Sequence, residues 1–283
     1  PTFDPLIVHA AHSAAALALA EKVPDHAARL AEAFWPGPLT LVLPRKSHLP
    51  ELLSAGLDTV ALRVPSHAIA RELLSRCGFP LAAPSANRFG QISPTRAEHV
   101  LEELAGQSAV AGVLDAGPCQ VGVESTVVAF PGGGRVRVLR NGGIPIEELS
   151  EVVGEVEWVD VRHAVDDPAL TVRGEQSPGM LARHYAPRTP LDLLETAPVP
   201  EDPRLQDPRF GWLVFSETLP ATGPVLQLSP AGDLREAAAG LFVSLRTLDA
   251  LWLRRILALR LPEHGLGRAI NDRLSRAAHP ESV

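Results

Sequence analysis

The 283-residue sequence holds two cysteines, one methionine, one tyrosine and two lysines, and each scarcity removes a class of explanation. Cys77 and Cys119 stand too far apart for a CxxC site and are too few for a disulfide framework, which fits a reducing cytoplasm. No apolar run reaches the length of a membrane span. The stretch from Pro5 to Ala20 is interrupted by His9, His12 and Ser13 and follows no basic region, so it does not read as a signal peptide. Positive charge is also in deficit: 33 acidic against 26 basic residues give a formal charge of −7. A general basic coat for nucleic acid is thereby disfavoured, while a local basic pocket is not. Lys22 and Lys46 are the only lysines, so the basic residues are almost all arginine, through codon bias or through a preference for bidentate anion contacts. The sequence contains no GxxxxGK[ST], no GxSxG and no HExxH, and no carboxylate pair is marked by spacing, so Walker, triad-hydrolase and zinc readings lack support. It opens on Pro1 and its only methionine is Met180, which suggests a fragment.

What is present is apolar mass, 46% of residues, enough to give two domains a core each. The first half alternates β-rich runs with amphipathic stretches. Strands are expected at Leu6–Val8, Leu39–Leu43, Val60–Val64, Leu81–Ala83 (short and buried), Val113–Leu114 and Val156–Val161. Asp25 is placed to cap a helix running to Phe34, and Ser66 one that ends at Gly78. Thr95–Glu98 reads as a capping box for a helix ending near Gly106. Ser125–Phe130 and Val136–Leu139 flank Pro131–Gly134 as a hairpin, and Pro145 suits a first helical turn. Crossovers mixed with hairpins predict an α/β domain with a mixed sheet. Periodicity is lost from Asp166 to Pro190, a proline-bearing linker that nonetheless carries Arg183, His184 and Tyr185. Strands at Trp212–Phe215, Val225–Leu228 and Ile256–Leu261, with helices at Asp233–Leu248 and Gly267–Ala278, then predict a smaller α/β domain.

Three constellations carry chemistry. Arg63 ends an apolar strand just before Val64-Pro65-Ser66 turns the chain, where a guanidinium offers a fork to carboxylate or phosphate; a structural salt bridge is the plainer alternative. The loop from Ala83 to Thr95 gathers Ser85, Asn87, Arg88, Ser93 and Gly90 at a helix start, either an anion site or a set of backbone caps. Gly122–Thr126 enters one strand of the hairpin and Leu139–Gly143 leaves its partner, so Ser125, Thr126 and Arg140 fall on neighbouring strands and can converge. Gly265-Leu266-Gly267 is a weak dinucleotide fingerprint, because Ile270 fills the third small position.

Taken in order, Pro5–His9, Trp35–Thr40, Leu62–Pro65, the Ser85–Thr95 loop, Gly122–Thr126, Leu139–Gly143, Ser177–Met180, His184–Pro187 and Gly265–Leu274 resemble the Sua5/YrdC family in its long form. The resemblance implies a YrdC-like α/β catalytic domain over 1–165 with a mixed twisted sheet. A linker or lid over 166–190 and a small Rossmann-like α/β Sua5 domain over 191–283 would follow. It implies synthesis of threonylcarbamoyl-AMP and pyrophosphate from L-threonine, bicarbonate and ATP, with the product handed to a complex that makes t6A in tRNA. By motif, His9, Arg63, Ala83, Ser125 and Thr126 would hold threonine or its carbamate, and Thr59, Ser85, Asn87, Ser93, Arg140 and Tyr185 would hold ATP. No protein nucleophile is implied, and magnesium would ride on the phosphates. Ser177 to Pro187 would lie over the site as a lid. Leu181-Ala182 departs from a common Lys-Tyr pair, and Asn141 from a common proline. The family's threonine-contacting N-terminal strand and a Lys-x-Arg ATP segment would lie upstream of Pro1, which implies low activity for the chain as written. A carbamoyl-adenylate-forming domain of hydrogenase maturation and a YrdC-like RNA-binding or ribosome-assembly module are the alternatives; the net charge weighs against the latter.

Overall fold

The computed structural model describes residues 5–88, 90–104, 106–108, 110–158 and 184–279. By packing, the chain divides discontinuously: one unit takes the described residues up to Pro84 and from Glu124 to Trp158, the other Ser85–Val123 and those from His184 onward. The expected boundaries near 165 and 190 fall outside the described residues or at their margin.

The first unit is built on a seven-stranded mixed sheet of β1 (Ile7–His9), β2 (Leu39–Pro44), β3 (Thr59–Arg63), β4 (Leu81–Ala82), β5 (Thr126–Ala129), β6 (Arg137–Arg140) and β7 (Glu157–Trp158), in the order β4-β1-β3-β2-β5-β6-β7. Pairing is parallel for β1/β3, β2/β5 and β6/β7 and antiparallel for β4/β1, β2/β3 and β5/β6. Alternation sorts the side chains. Val8, Leu41, Leu43, Val60, Leu62, Val128 and Val138 join one core with α1 (Ser13–Leu17), α2 (Asp25–Phe34) and α5 (Ile146–Val153). Ile7, Val42, Ala61, Val127, Ala129 and Leu139 form a smaller cluster on the opposite face. The expected hairpin is present, with Gly132, Gly133 and Gly134 all at positive φ.

Several local expectations are corrected. Asp25 is the first helical residue of α2, not its cap, and His67 in place of Ser66 precedes α3 (Ala68–Cys77), which ends on left-handed Gly78 as expected. The strand at Leu81–Ala82 is a partly exposed edge, because among the described residues β4 has a neighbour on one side only. Val113–Leu114 is irregular. The capping box does not form: α4 (Ala97–Leu104) starts later, the Thr95 hydroxyl has no hydrogen-bond partner among the described residues, and the Thr95 amide donates instead to His99 Nδ1 at 3.2 Å. Burial and the Arg246 charge hold the His99 pKa below its ordinary value, which keeps that acceptor available.

The second unit carries an all-parallel four-stranded sheet, β10-β9-β11-β8, from β8 (Leu191–Leu194), β9 (Phe210–Val214), β10 (Val225–Gln227) and β11 (Arg255–Leu259). The sequence reading missed β8, whose Leu-Asp-Leu-Leu follows directly on the proline-bearing linker. Helix α6 (Leu234–Asp249), expected over Asp233–Leu248 and capped by the Asp233 side chain, buries Ala237, Ala238, Leu241, Phe242, Leu245 and Leu248. Helix α7 (Gly267–Ala277) is pinned to the strand exit by Asn271, whose amide accepts from Leu261 N and donates to Leu261 O. Gly267 is a packing glycine: a Cβ there would meet Pro262 O at 1.9 Å. The segment 85–123 belongs to this unit because Ile92 and Val123 enter its core and the Arg246 guanidinium binds both Ile92 O and Glu103.

Candidate active site

The strand directions of the first unit bring its functional side chains to one end of the sheet. Parallel β1 and β3 end there at His9 and Arg63, which are register partners. Antiparallel β2 begins there, pairing Thr40 with Arg63, and Thr126 opens β5 opposite Leu39. Strand β6 ends there at Arg140. His9, Arg63, Thr40 and Ser125 share the alternation of Ile7, Ala61, Val42 and Val127, so all four sit on the sheet face of the smaller cluster. Neighbouring strands lie about 4.8 Å apart, so the row from β1 to β5 runs roughly 14 Å.

Each member is held by its neighbours. Arg63 Nε donates to Gly37 O at 3.2 Å, fixing the guanidinium plane against the Trp35–Thr40 segment. The same segment accepts Thr126 N at Pro38 O, 2.9 Å away, and its Thr40 hydroxyl meets Ser125 Oγ at 2.7 Å. Arg140 is 5% exposed and donates through Nε and Nη2 to Ser125 O at 3.2 and 3.0 Å, and through Nη2 to Ser125 Oγ at 3.2 Å. The pairing of β5 and β6 slips between Val127 and Val128, an irregularity of the kind that re-aims a side chain at a strand end. Ser125 and Arg140 therefore converge as the hairpin predicted. Thr126 does not join them: its hydroxyl donates to Ile144 O at 2.6 Å and accepts Ile144 N at 2.9 Å, a structural staple.

Gly142 makes this convergence possible. A Cβ there would stand 2.4 Å from Glu124 O and Thr126 N, so the exit from β6 crosses the backbone around Ser125 too closely for any side chain. Gly142→Ala is expected to lower unfolding free energy by about 2 kcal/mol through forced overpacking, measured by urea denaturation, with Ser125 displaced from Arg140.

His9 is a neutral imidazole at pH 7. Burial first, then the Arg63 charge, lowers its pKa to about 4, against a weaker opposing effect of the hydrogen bond to Ile7 O. That bond, 3.1 Å from Nδ1 to a carbonyl that can only accept, puts the proton on Nδ1 and leaves Nε2 as an acceptor. Because the unfolded chain protonates His9 near 6.5, stability from this residue is full above that pH and is lost as pH falls from 6.5 toward 4. The loss should reach about 3 kcal/mol. Unfolding curves of the protein and of His9→Gln should diverge by that amount between pH 7 and 4; parallel curves would contradict the assignment.

Of the other expected site residues, Thr59 and Ala83 belong to the first unit and Ser85, Asn87, Ser93 and Tyr185 to the second. Thr59 begins β3 on the same face as Arg63, four residues or roughly 13 Å away along the strand. Ala83 follows β4, its amide donating to Ile7 O, two register steps from the level of His9. Ser85, Asn87 and Ser93 belong to the second unit, Ser85 exposed and Ser93 buried. Asn87 Nδ2 donates to Arg88 O and Gln91 O, shaping its own loop. Tyr185 is a core residue of the second unit: it is 1% exposed, stacks on Phe242 at 5.5 Å and lies under the Arg273 guanidinium. Its φ of 63° is left-handed, an uncommon state for a bulky side chain. The lid residues Ser177–Arg183 lie outside the described residues. The sequence reading gave no role to Thr40, although a lone hydroxyl inside Leu39–Leu43 was a signal.

Residues 1–142 match the family described as Telomere recombination, the Sua5, YciO and YrdC group, and residues 144–279 match the one described as Threonylcarbamoyl-AMP synthase, C-terminal domain. The chain is 37% identical to the threonylcarbamoyl-AMP synthase of Pyrococcus abyssi over 98% of its own length and 81% of that protein. It is 39% identical to the Bacillus subtilis threonylcarbamoyl-AMP synthase over 98% and 80% respectively. The crystal structure of P. abyssi Sua5 complexed with L-threonine superposes with a TM-score of 0.82 at 35% identity, covering 98% of this chain and 81% of that one.

Proposed function

The chain belongs to the Sua5/YrdC family, and on that premise we propose that it is the enzyme joining L-threonine, bicarbonate and ATP into threonylcarbamoyl-AMP and pyrophosphate, the activated donor for t6A formation in tRNA. The observation that carries the reading is the pair of fixed guanidiniums, Arg63 and Arg140, on either side of the Thr40–Ser125 hydroxyl pair at one sheet end. The reaction brings together two anions, an amino-acid carboxylate and a polyphosphate, and two such forks match them.

In this reading Arg63 takes the threonine carboxylate. His9 Nε2 accepts a hydrogen bond from the threonine ammonium or hydroxyl. With a pKa of about 4 it is too weak a base to keep a proton from an α-amino group whose ordinary value is near 8, so it orients the amine and does not deprotonate it. The threonine ammonium gives one proton to solvent, and the neutral amine then bonds to the carbon of bicarbonate with loss of water, leaving a carbamate anion. A carbamate oxygen then attacks the α-phosphorus, and the bond to pyrophosphate breaks. Ser125 donates to the carbamate, and Arg140 offsets charge on the phosphates as the leaving group departs. No covalent bond to the protein is required; positioning and fixed charge supply the acceleration.

The nucleotide roles of Thr59, Ser85, Asn87, Ser93 and Tyr185 and the substrate role of Ala83 are proposed from their motifs. So is the continuous division into a catalytic domain, a linker and a C-terminal domain. Magnesium would be carried on the phosphates of ATP, whose charge it would offset. No helix among the described residues is long and apolar enough to cross a membrane. A cytoplasmic site of action and release of the labile product to a tRNA-modifying complex complete the proposal. Pyrophosphate release from ATP should require both L-threonine and bicarbonate; release that ignores threonine would refute it.

A further inference from the structure

We propose that Thr40 is a positioning residue that turns Ser125 into a pure hydrogen-bond donor toward the substrate. The proposal rests on the reading of Ser125 as a threonine or carbamate contact. Both side chains are almost fully buried, Thr40 at 0% and Ser125 at 1% exposure, and their hydroxyls meet at 2.7 Å. Among the described residues Ser125 Oγ has a second neighbour, Arg140 Nη2 at 3.2 Å, whereas the Thr40 hydroxyl has Ser125 alone.

Proton accounting together with a ligand oxygen at Ser125 sets the direction of the bond. A guanidinium only donates, so Arg140 occupies one acceptor position of Ser125 Oγ. Either direction leaves one buried hydroxyl proton without an acceptor among the described residues, that of Thr40 if Ser125 donates and that of Ser125 if Thr40 donates, and an anion held at Ser125 accepts the second. If Thr40 donates, both acceptor positions of Ser125 are filled and its own proton is left to point at a ligand. A hydroxyl in that state donates to an anionic oxygen and repels nothing, which suits a carboxylate or carbamate and disfavours a neutral amine donor at the same spot. Thr40 is also placed to stay put: it is the second residue of β2, pairs with Arg63 in register, and lies in the segment whose Gly37 carbonyl fixes Arg63. One short stretch of chain thus sets the orientation of two substrate contacts.

The test compares Thr40→Val, Thr40→Ser, Ser125→Ala and the Thr40→Val/Ser125→Ala double variant by calorimetric L-threonine binding and by the KM for threonine in pyrophosphate release. Thr40→Val should weaken threonine binding about tenfold, the worth of one charge-assisted hydrogen bond, with ATP affinity unchanged. Thr40→Ser should restore binding to within about twofold. The double variant should bind threonine as Ser125→Ala does, since the two act as one unit. Wild-type affinity in Thr40→Val together with weak binding by Ser125→Ala would overturn the role of Thr40 and leave Ser125 as a contact. Wild-type affinity in Ser125→Ala would overturn the reading of Ser125 itself. Fully additive losses would mean that Thr40 acts independently. If Thr40→Val fails a thermal-melt check, Thr40→Ala replaces it, with Thr40→Ser still required to rescue.

Discussion

Arg63→Lys is expected to weaken L-threonine binding about 100-fold, with ATP binding changed little, because it exchanges a planar fork for a mobile point charge. The effect is large for two reasons visible in the fold. Arg63 Nε is spent on Gly37 O, so the side chain arrives with its plane already set and little rotamer entropy remains to be lost on binding. A lysine has no Nε to make that bond and would add a second loss, the unpaired carbonyl. After burial, the Arg63 charge is the second influence that keeps the neighbouring His9 neutral. Removing the charge in Arg63→Ala should raise the His9 pKa, because the Arg63 charge is one of the two causes that lower it, while burial keeps it below 6.5. Titration of the His9 ring by NMR checks this directly. An unchanged threonine affinity in Arg63→Lys would mean that the carboxylate binds elsewhere.

Arg140→Ala should lower kcat by about 100- to 1000-fold, the usual cost of removing a preorganised donor aimed at developing charge. It should also destabilise the fold. The guanidinium makes three hydrogen bonds to Ser125, two of them to the backbone carbonyl at the entry to β5. Losing them leaves a buried carbonyl without those donors, for about 1–3 kcal/mol. Arg140→Lys separates the two effects: a lysine keeps the charge and a single donor nitrogen in place of the planar fork, so stability should recover more than turnover does. The comparison is made by kcat for pyrophosphate release beside urea unfolding. Equal recovery of both would reduce Arg140 to a structural residue.

These expectations depend on register, and register is where the sequence stops being readable. The hairpin around Pro131–Gly134, helix α2 and helix α6 were all legible because each is fixed by local signals, turn glycines in the one and apolar spacing in the others. That Ser125 and Arg140 would meet followed from the hairpin alone. That Ser125 and not Thr126 would do so depends on which face each residue takes, and the slip between Val127 and Val128 cannot be inferred from a single strand pattern. Thr40 was hidden for the same reason, since its partner lies 85 positions away. Capping failed at Thr95 because His99 supplies a competing acceptor for the Thr95 amide, which composition does not reveal. The assignment of 85–123 to the second unit rests on Ile92, Val123 and the Arg246–Glu103 pair, long-range contacts that leave no local mark. The family resemblance was legible through the order of many short motifs, each weak by itself.

The central claim is that this chain makes a carbamoylated threonine adenylate, and carbon-labelled bicarbonate tests it most directly. The protein is incubated with ATP, L-threonine and carbon-13 bicarbonate, and the adenylate formed is identified by mass spectrometry before it hydrolyses. The account predicts a threonylcarbamoyl-AMP ion that carries the label and disappears when threonine is omitted or Arg63 is replaced by alanine. An adenylate that forms without threonine, or one that carries no carbon from bicarbonate, would contradict it.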